Sequence, residues 1–130
     1  MKILIAGEGG QGVQTIAQVL AKAAFLDGQK ALYIPNFGVE QRGGASLAFL
    51  VFGEEAVYPK FNQADYLVLL SPRVKKRTEP YQGKYTKVIK EKNNLQALKK
   101  ILELTQMVKK ETLRECLREK LGEKFKDEEF

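Results

Sequence analysis

The sequence contains no histidine and a single cysteine, Cys116. Histidine is the commonest general base, so its absence excludes Ser-His-Asp and Cys-His nucleophile systems and imidazole metal ligands. One cysteine excludes an internal disulfide, a four-cysteine iron–sulfur cluster and a zinc thiolate site. Cys116 shares a helix face with Leu113 and Leu117, which predicts a buried structural thiol. We expect no catalytic residue and no metal ligand in this chain.

Long apolar runs are also missing. No stretch approaches the roughly 20 residues that span a bilayer, and the apolar start of the chain breaks at Gly7 without a small-residue cleavage site. We therefore expect a cytoplasmic protein that has no contact with a membrane. A length of 130 residues with 44% hydrophobic and 29% charged residues predicts one folded domain.

The N-terminal third of the sequence predicts a strand, a helix and a second strand. Residues 2–6 form a short apolar run, which is typical of a buried strand. From Val13 the apolar residues recur with helical spacing as far as Asp27. Residues 30–34 predict a second strand that ends at Pro35, and we expect the two strands to be parallel.

The rest of the sequence predicts further strands and then helices. The predicted strands are 45–52, apolar on both faces and therefore central, 66–70, and the weak edge strand 87–90. Apolar stripes predict helices after residue 93, with Asn93 and Thr112 as capping residues. The predicted fold class is α/β, with a three-layer, mostly parallel Rossmann-like sheet, helices on both faces and C-terminal helices.

A glycine-rich motif, G-x-G-x-x-G, lies between the first strand and the first helix, at residues 7–12. Glycines there permit positive φ and close backbone approach, and a helix start favours an anion. Dinucleotide binding is disfavoured because the second strand ends without an acidic residue, and Val13 stands where a phosphate-loop lysine would follow. A tight turn without ligand, a site for another anion and a partner surface remain open.

A second glycine-rich segment follows the second strand, at residues 37–44. Loops at the carboxyl ends of parallel strands rise at one edge of a sheet, so both glycine segments should converge on one crevice. Arg42 offers a planar fork for phosphate or carboxylate, and Glu40 lies two residues away as an orienting partner. The alternative is an exposed, loosely paired couple on a surface loop.

Together the two segments, GEGGQGVQT at 7–15 and FGVEQRGGAS at 37–46, followed by ADYLVLL at 64–70, resemble the gamma subunit of 2-oxoacid:ferredoxin oxidoreductases. The resemblance covers residues 1–72 and is weak beyond them, where the C-terminal half is shorter than usual for that family. It divides a single gamma-type domain into the matched residues 1–72, a basic loop or arm at 73–92 and a helical region at 93–130.

The resemblance implies a subunit of a complex that converts a 2-oxoacid, such as pyruvate, to acyl-CoA with ferredoxin as electron acceptor. Thiamine diphosphate and iron–sulfur clusters would lie in alpha, beta and delta-type partner subunits, and this chain, inactive alone, would shape the coenzyme A side of the site. The cofactor-binding residues carried over by match to the motifs are Gly7, Gly9, Gly10, Gln11, Gly12, Thr15, Gly38, Glu40, Arg42, Gly43 and Gly44. The alternative function is a stand-alone nucleotide- or anion-binding regulatory module.

The net charge of +6 is concentrated in one segment, because residues 71–92 carry eight basic and two acidic side chains. Three interpretations remain open for this segment: a solvated connection, a docking site for an acidic partner or for the phosphates of coenzyme A, and nucleic-acid binding. No recognition helix or RNA-binding signature accompanies it, so we expect no nucleic-acid partner.

Overall fold

The computed structural model describes residues 1–37, 44–56, 61–126 and 130, and within them five strands form one sheet. The strands are β1 (Lys2–Glu8), β2 (Ala31–Phe37), β3 (Ala45–Phe52), β4 (Tyr66–Leu69) and β5 (Lys87–Lys90). The α-helices are α1 (Val13–Leu26), α2 (Lys75–Thr78), α3 (Asn94–Thr105) and α4 (Lys110–Leu121). Single 3-10 turns lie at Glu54–Ala56, Pro72–Val74, Glu79–Tyr81 and Gly122–Lys124. The result is a mixed α/β fold.

The strand order is β2-β3-β1-β4-β5, and the sheet is only partly parallel. β4 pairs in parallel with both β1 and β5, whereas β3 runs antiparallel to β1 and to β2. The prediction of a mostly parallel sheet missed this reversal. A parallel connection needs a crossover of a dozen or more residues, and the 38–44 connection is too short for one. β1 and β2 do run in the same direction, as predicted, but β3 lies between them.

The two faces of the sheet are covered differently. Residues Ile3 and Ile5 of β1 pack with α1, α3 and α4 in the larger core cluster. Leu4 and Ala6 face the other side, where the cover within the described residues includes Val74 and Tyr81 of the short helical turns. The prediction of helices on both faces is therefore confirmed only in part, because the three longer helices all lie on one face.

The helix α1 lies where the sequence predicts it, and β3 is an interior strand with both faces covered. Strand β2 extends further than predicted, because it continues through Pro35, which pairs with Ala48. β2 is an edge strand, and proline is tolerated there because the strand's outer side has no ladder partner for an N–H group.

The segment 73–92, predicted as a basic loop or arm, contains regular structure. Ser71 caps the first turn by accepting a hydrogen bond from Arg73 N at 3.2 Å, and the buried Thr78 hydroxyl contacts Lys75 O at 2.9 Å. Tyr81 packs edge-on against Phe49, with ring centroids 5.2 Å apart. The lysines and arginines masked these few apolar anchors in the sequence pattern, whereas β5 is the edge strand that was predicted.

The N-terminus of α4 is capped from another helix. Helix α3 begins after Asn93 as predicted, with the Asn93 side chain accepting from Leu95 N at 2.9 Å. The predicted cap of α4 at Thr112 was wrong, because the Thr112 hydroxyl instead donates to Asp27 Oδ1 at 2.7 Å. Asp27 Oδ2 also accepts from Lys109 N at 2.6 Å. The residue that ends α1 therefore holds the start of α4.

Asp27 should make the stability of the fold dependent on acid pH. The Lys109 N–H and the Thr112 hydroxyl donate to the charged carboxylate and lower the pKa of Asp27 from 3.8. A lowered folded-state pKa stabilises the fold above the unfolded-state value, and this stabilisation is lost as pH falls through the folded-state value. Asp27→Ala should lower the free energy of unfolding at pH 7 by about 1 kcal/mol, the usual cost of losing a helix cap.

The measurement is urea denaturation of both proteins between pH 7 and pH 2. Glu123→Gln, which removes another acidic side chain that is exposed, is the matched control. A difference between wild type and Asp27→Ala that stays constant down to pH 2 would show that the Asp27 charge does not stabilise α4.

Candidate functional site

The first glycine-rich segment, the described ends of the second and the start of the basic segment lie at one edge of the sheet. In the strand register, Gly7 of β1 lies opposite Ser46 of β3, and Ser46 lies opposite Phe37 of β2. The end of β1 and the end of β2 are therefore separated by one strand, a distance of roughly 10 Å at the usual strand spacing. β4 ends at the same edge, because Leu69 lies opposite Ala6. The predicted convergence of the two loops is supported at their described ends.

The glycines of the first motif have different structural roles. A Cβ on Gly7 would lie 2.8 Å from both Gln11 Oε1 and Val13 Cγ2, so this glycine is required for packing. Gly10 and Gly12 have φ of 88° and 77°, which favours glycine. Gly9 has no such requirement, because a Cβ there would have nothing within 4 Å. A tight turn explains three of the four glycines and leaves Gly9 free for close approach by a ligand or partner.

The side chain of Gln11 fixes the glycine turn to the neighbouring strand. Its Oε1 accepts a hydrogen bond from Glu8 N at 2.7 Å, and its Nε2 donates to Leu70 O at 2.9 Å. The turn itself closes with a hydrogen bond from Gln11 N to Glu8 O at 3.2 Å. Gln11 therefore positions the backbone of the turn and ties β1 to the end of β4.

Gln14 anchors the start of α1 on the opposite side, a role that the sequence reasoning missed. Its Nε2 donates to Ser46 Oγ at 2.8 Å and to Leu47 O at 2.9 Å. Its Oε1 accepts a hydrogen bond from the Tyr33 hydroxyl. Thr15 follows in the first turn of α1 and is partly buried. The only signal of this role in the sequence is that Gln14 is the second residue of the helix. That position does not predict hydrogen bonds to β2 and β3.

Glu8 connects the first motif to the basic segment. Its Oε2 accepts a hydrogen bond from Ser71 Oγ at 3.0 Å, and its Oε1 lies 3.3 Å from the guanidinium of Arg73. Ser71 is buried, whereas the Arg73 side chain is mostly exposed. The Glu8 carboxylate therefore orients the Arg73 side chain toward the edge of the sheet. The sequence does not predict this contact, because the two residues are far apart along the chain.

A pocket of about 460 Å³ opens beside Glu8. Its lining residues are Glu8, Gly44, Ala45, Arg73, Val74, Lys76 and Arg77. Gly44 is the one predicted cofactor-binding residue of the second motif that the structure describes, and it does reach the neighbourhood of the first motif. Gly38, Glu40, Arg42 and Gly43 lie outside the described residues. The pocket carries three cations and one carboxylate, which favours an anionic ligand.

The described residues provide this edge of the sheet with few side chains that are typical of catalytic or metal sites. No group of three or more His, Cys, Asp or Glu side chains that could hold a metal ion lies among them. Cys116 is buried in the core between α1 and α4, and burial raises the pKa of its thiol. Within the same ranges, no helix is long and apolar enough to cross a membrane. The site can bind and position an anion through charge and backbone.

Comparison with known families identifies the family to which the chain belongs. The model of the pyruvate ferredoxin/flavodoxin oxidoreductase family matches residues 2–97, which include both glycine segments and the basic segment. The chain belongs to this family. The resemblance seen in the sequence is thereby confirmed, and the match reaches beyond residue 72 into α3.

Curated relatives place the family match among gamma subunits. The chain is 42% identical over 72 residues to pyruvate synthase subunit PorC of Methanothermobacter marburgensis, an alignment that covers 54% of this chain and 41% of the relative. Subunits of 2-oxoglutarate synthase match as well. The chain spans less than half the length of the curated relatives that it matches.

Solved structures of the family share the fold. The keto/oxoacid ferredoxin oxidoreductase gamma subunit of Geobacter sulfurreducens has a TM-score of 0.72 and 22% identity, covering 91% of this chain and 85% of that chain. The 2-oxoglutarate:ferredoxin oxidoreductase of Magnetococcus marinus, solved with 2-oxoglutarate, coenzyme A and succinyl-CoA bound, has a TM-score of 0.80 and 19% identity. It covers 98% of this chain, which corresponds to 28% of that longer chain.

Substitution of individual glycines should separate packing from surface roles in this oxidoreductase-family domain. Gly12→Ala should lower the free energy of unfolding by about 1–2 kcal/mol, because alanine is strained in the left-handed region. The added Cβ would also lie 2.3 Å from Asn94 Nδ2, which must move. Gly9→Ala is the matched variant and should leave stability within about 0.5 kcal/mol of wild type, as at other unencumbered surface sites.

Thermal and urea unfolding of the two variants provide the test. Equal losses at both positions would mean that the turn at Gly9 is as constrained as the turn at Gly12, and Gly9 would then carry no sign of an external contact.

Proposed function

We infer that this chain acts as a gamma-type subunit of a 2-oxoacid:ferredoxin oxidoreductase complex. In the reaction proposed, a 2-oxoacid is oxidatively decarboxylated, ferredoxin accepts the electrons and the acyl group leaves as acyl-CoA. Thiamine diphosphate and iron–sulfur clusters belong to alpha, beta and delta-type partner subunits in this proposal. Its support is the family match over residues 2–97 and the similarity to subunits of pyruvate and 2-oxoglutarate synthases.

The composition of the chain fits an accessory role. It has no histidine and one cysteine, and that cysteine is buried. Histidine-based acid–base chemistry and four-cysteine cluster ligation therefore belong to other chains in this proposal. The isolated chain should be inactive, and its contribution should be to bind and orient.

The observation that carries the coenzyme A proposal is the pocket beside Glu8. It brings the start of β3 and the basic residues Arg73, Lys76 and Arg77 to the glycine turn. Coenzyme A carries a pyrophosphate and a further phosphate, which cations and a helix start both attract. The Magnetococcus marinus enzyme, which shares the fold, was solved with coenzyme A bound. We therefore assign the sheet edge formed by 7–12, 44–45 and 73–77 to the coenzyme A side of the complex.

Arg42 is the residue of the second motif that is best suited to contact the coenzyme A pyrophosphate. A charge-assisted hydrogen bond is worth about 1.5–3 kcal/mol, and about 1.4 kcal/mol corresponds to a tenfold change in affinity. Arg42→Ala in the assembled enzyme should raise the apparent KM for coenzyme A by roughly 10- to 100-fold. The coenzyme-independent decarboxylation of the 2-oxoacid should change little.

Lys30→Ala is the control, because Lys30 is paired with Glu54 and precedes β2 at the opposite end from the 38–44 connection. Loss of subunit association in Arg42→Ala would make Arg42 an interface residue. Unchanged assembly with an unchanged coenzyme A requirement would show that Arg42 pairs only with Glu40 at the surface.

Assembly tests the proposal at a coarser level. Purification of the tagged chain from its source cells should recover larger chains that carry thiamine diphosphate and iron. Size-exclusion chromatography with metal and thiamine analysis measures both. Recovery of a clean monomer, with no other chain at stoichiometric level, would favour the alternative, a stand-alone regulatory module.

A further inference from the structure

A second pocket lies at the same edge of the sheet, between the ends of β4 and β5. Its volume is about 440 Å³, within the range of small-molecule sites. The lining residues are Leu69, Leu70, Ser71, Pro72, Lys75, Lys90, Glu91, Lys92 and Asn93. This pocket is distinct from the one beside Glu8, because the two share no lining residue.

The pocket results from the way the chain leaves the two strands. After β4 the chain turns to one face of the sheet, where Val74 and Tyr81 pack. After β5 it turns to the other face, where Ala97 and Leu98 of α3 pack. Parallel neighbouring strands whose connections diverge in this way leave a crevice outside their carboxyl ends, which is where open α/β sheets bind ligands.

A similar divergence between β1 and β4 is closed by a side chain. There α1 packs on the α3 face, and Gln11 bridges the gap through its hydrogen bonds to Glu8 N and Leu70 O. Among the described residues, no hydrogen bond between side chains crosses the β4–β5 crevice in the same manner. The crevice between β4 and β5 is therefore the open one of the two.

The lysine side chains around the pocket are positively charged and form no ion pair among the described residues. Lys75, Lys90 and Lys92 are exposed, and none has an acidic partner within 4.0 Å among the described residues. The one acidic residue of the lining, Glu91, is paired with Lys100 at 2.9 Å. These three lysines line the pocket together with Pro72, which is exposed, and with Leu69 and Leu70, whose side chains are almost fully buried.

This combination selects an amphipathic anion. Pro72 and the methylene stems of the lysines can cover the organic body of a ligand, and the lysine ammonium groups can neutralise a multiply charged head group. Lysine acts as a compact point charge, and three ammonium groups match a phosphate monoester, which carries close to two negative charges at pH 7, better than a carboxylate, which carries one.

We propose that the β4–β5 crevice is a binding site for a small organic phosphate, with the organic body against Pro72 and the lysine stems and the phosphate between Lys75, Lys90 and Lys92. The site goes beyond the proposed function, since it requires neither the partner subunits nor the pocket beside Glu8.

Binding to the full 130-residue chain alone tests the proposal, with three probes. Adenosine 5′-monophosphate has an organic body and a phosphate, adenosine has only the body, and inorganic phosphate has only the charge. Calorimetry should show saturable binding of the nucleotide, with each of the other two at least roughly tenfold weaker. Adenosine binding as tightly as the nucleotide, or absence of nucleotide binding up to millimolar concentration, would overturn the proposal.

The variant Lys90→Gln with Lys92→Gln should raise the dissociation constant of the nucleotide by roughly tenfold or more. The control, Lys124→Gln with Lys126→Gln, removes the same net charge from exposed residues outside the pocket and should change it by less than about twofold. Equal losses in the two variants would show nonspecific attraction to a basic protein.

Amide chemical shifts locate the ligand independently of affinity. Nucleotide binding in the crevice should shift the amides of Ser71, Glu91 and Asn93 most strongly. Shifts confined to Gly9, Gly10 and Gly44 would instead place the nucleotide in the pocket beside Glu8, and the crevice proposal would be wrong. Neither result depends on whether the chain assembles with an oxidoreductase.

Discussion

The geometry of the whole functional edge depends on the two hydrogen bonds of the Gln11 side chain. One joins it to Glu8 N and the other to Leu70 O, so a single amide fixes the glycine turn against the last residue before the basic segment. Gly7 has to lack a side chain for this amide to fit, because a Cβ there would meet Gln11 Oε1 at 2.8 Å. The start of α1, the end of β4 and the position of Ser71 all follow from that contact.

Glutamine suits this position because it carries both a donor and an acceptor. An aspartate or glutamate would accept from Glu8 N but could not donate to the Leu70 carbonyl when ionised, and it would place a charge beside Glu8. The same property is used at Gln14, where one amide donates to β3 and accepts from Tyr33 of β2. Two neutral amides thus fix the glycine turn to β1 and to the residue after β4, and the start of α1 to β2 and β3.

The sequence predicted the elements more successfully than their arrangement. Strand β1, helix α1 and the Asn93 cap follow from local patterns, because hydrophobic period, glycine and capping chemistry act over a few residues. The reversal of β3 depends on the length of a connection and on pairing with distant strands, which no local pattern records. The Thr112 hydroxyl was assigned to its own helix, although Asp27, distant in sequence, offered it a charged acceptor.

The same difference between local patterns and contacts of distant residues applies to the candidate site. The glycine motifs could be found in the sequence because positive φ and close packing demand glycine at fixed spacing, as at Gly10 and Gly12. The roles of Glu8, Ser71 and Arg73 could not, because their contacts join positions more than sixty residues apart. The charge of the 71–92 segment was visible, but the lengths of its turns and of β5 decided where that charge came to lie.

The divergence of chain directions around β4 produces the two pockets described at the carboxyl edge of the sheet. β4 sends the chain to one face of the sheet, while its neighbours β1 and β5 send it to the other. Each such divergence leaves polar backbone ends and a crevice at the carboxyl edge. Gln11 fills the first crevice. The pocket on that side of β4 therefore lies further out, beside Gly44 and the cations near Glu8. The second crevice has no equivalent of Gln11 among the described residues, so the strand ends and the segments that follow them form its walls. Lys75, Lys90 and Lys92 are the charged residues of its described lining that have no acidic partner.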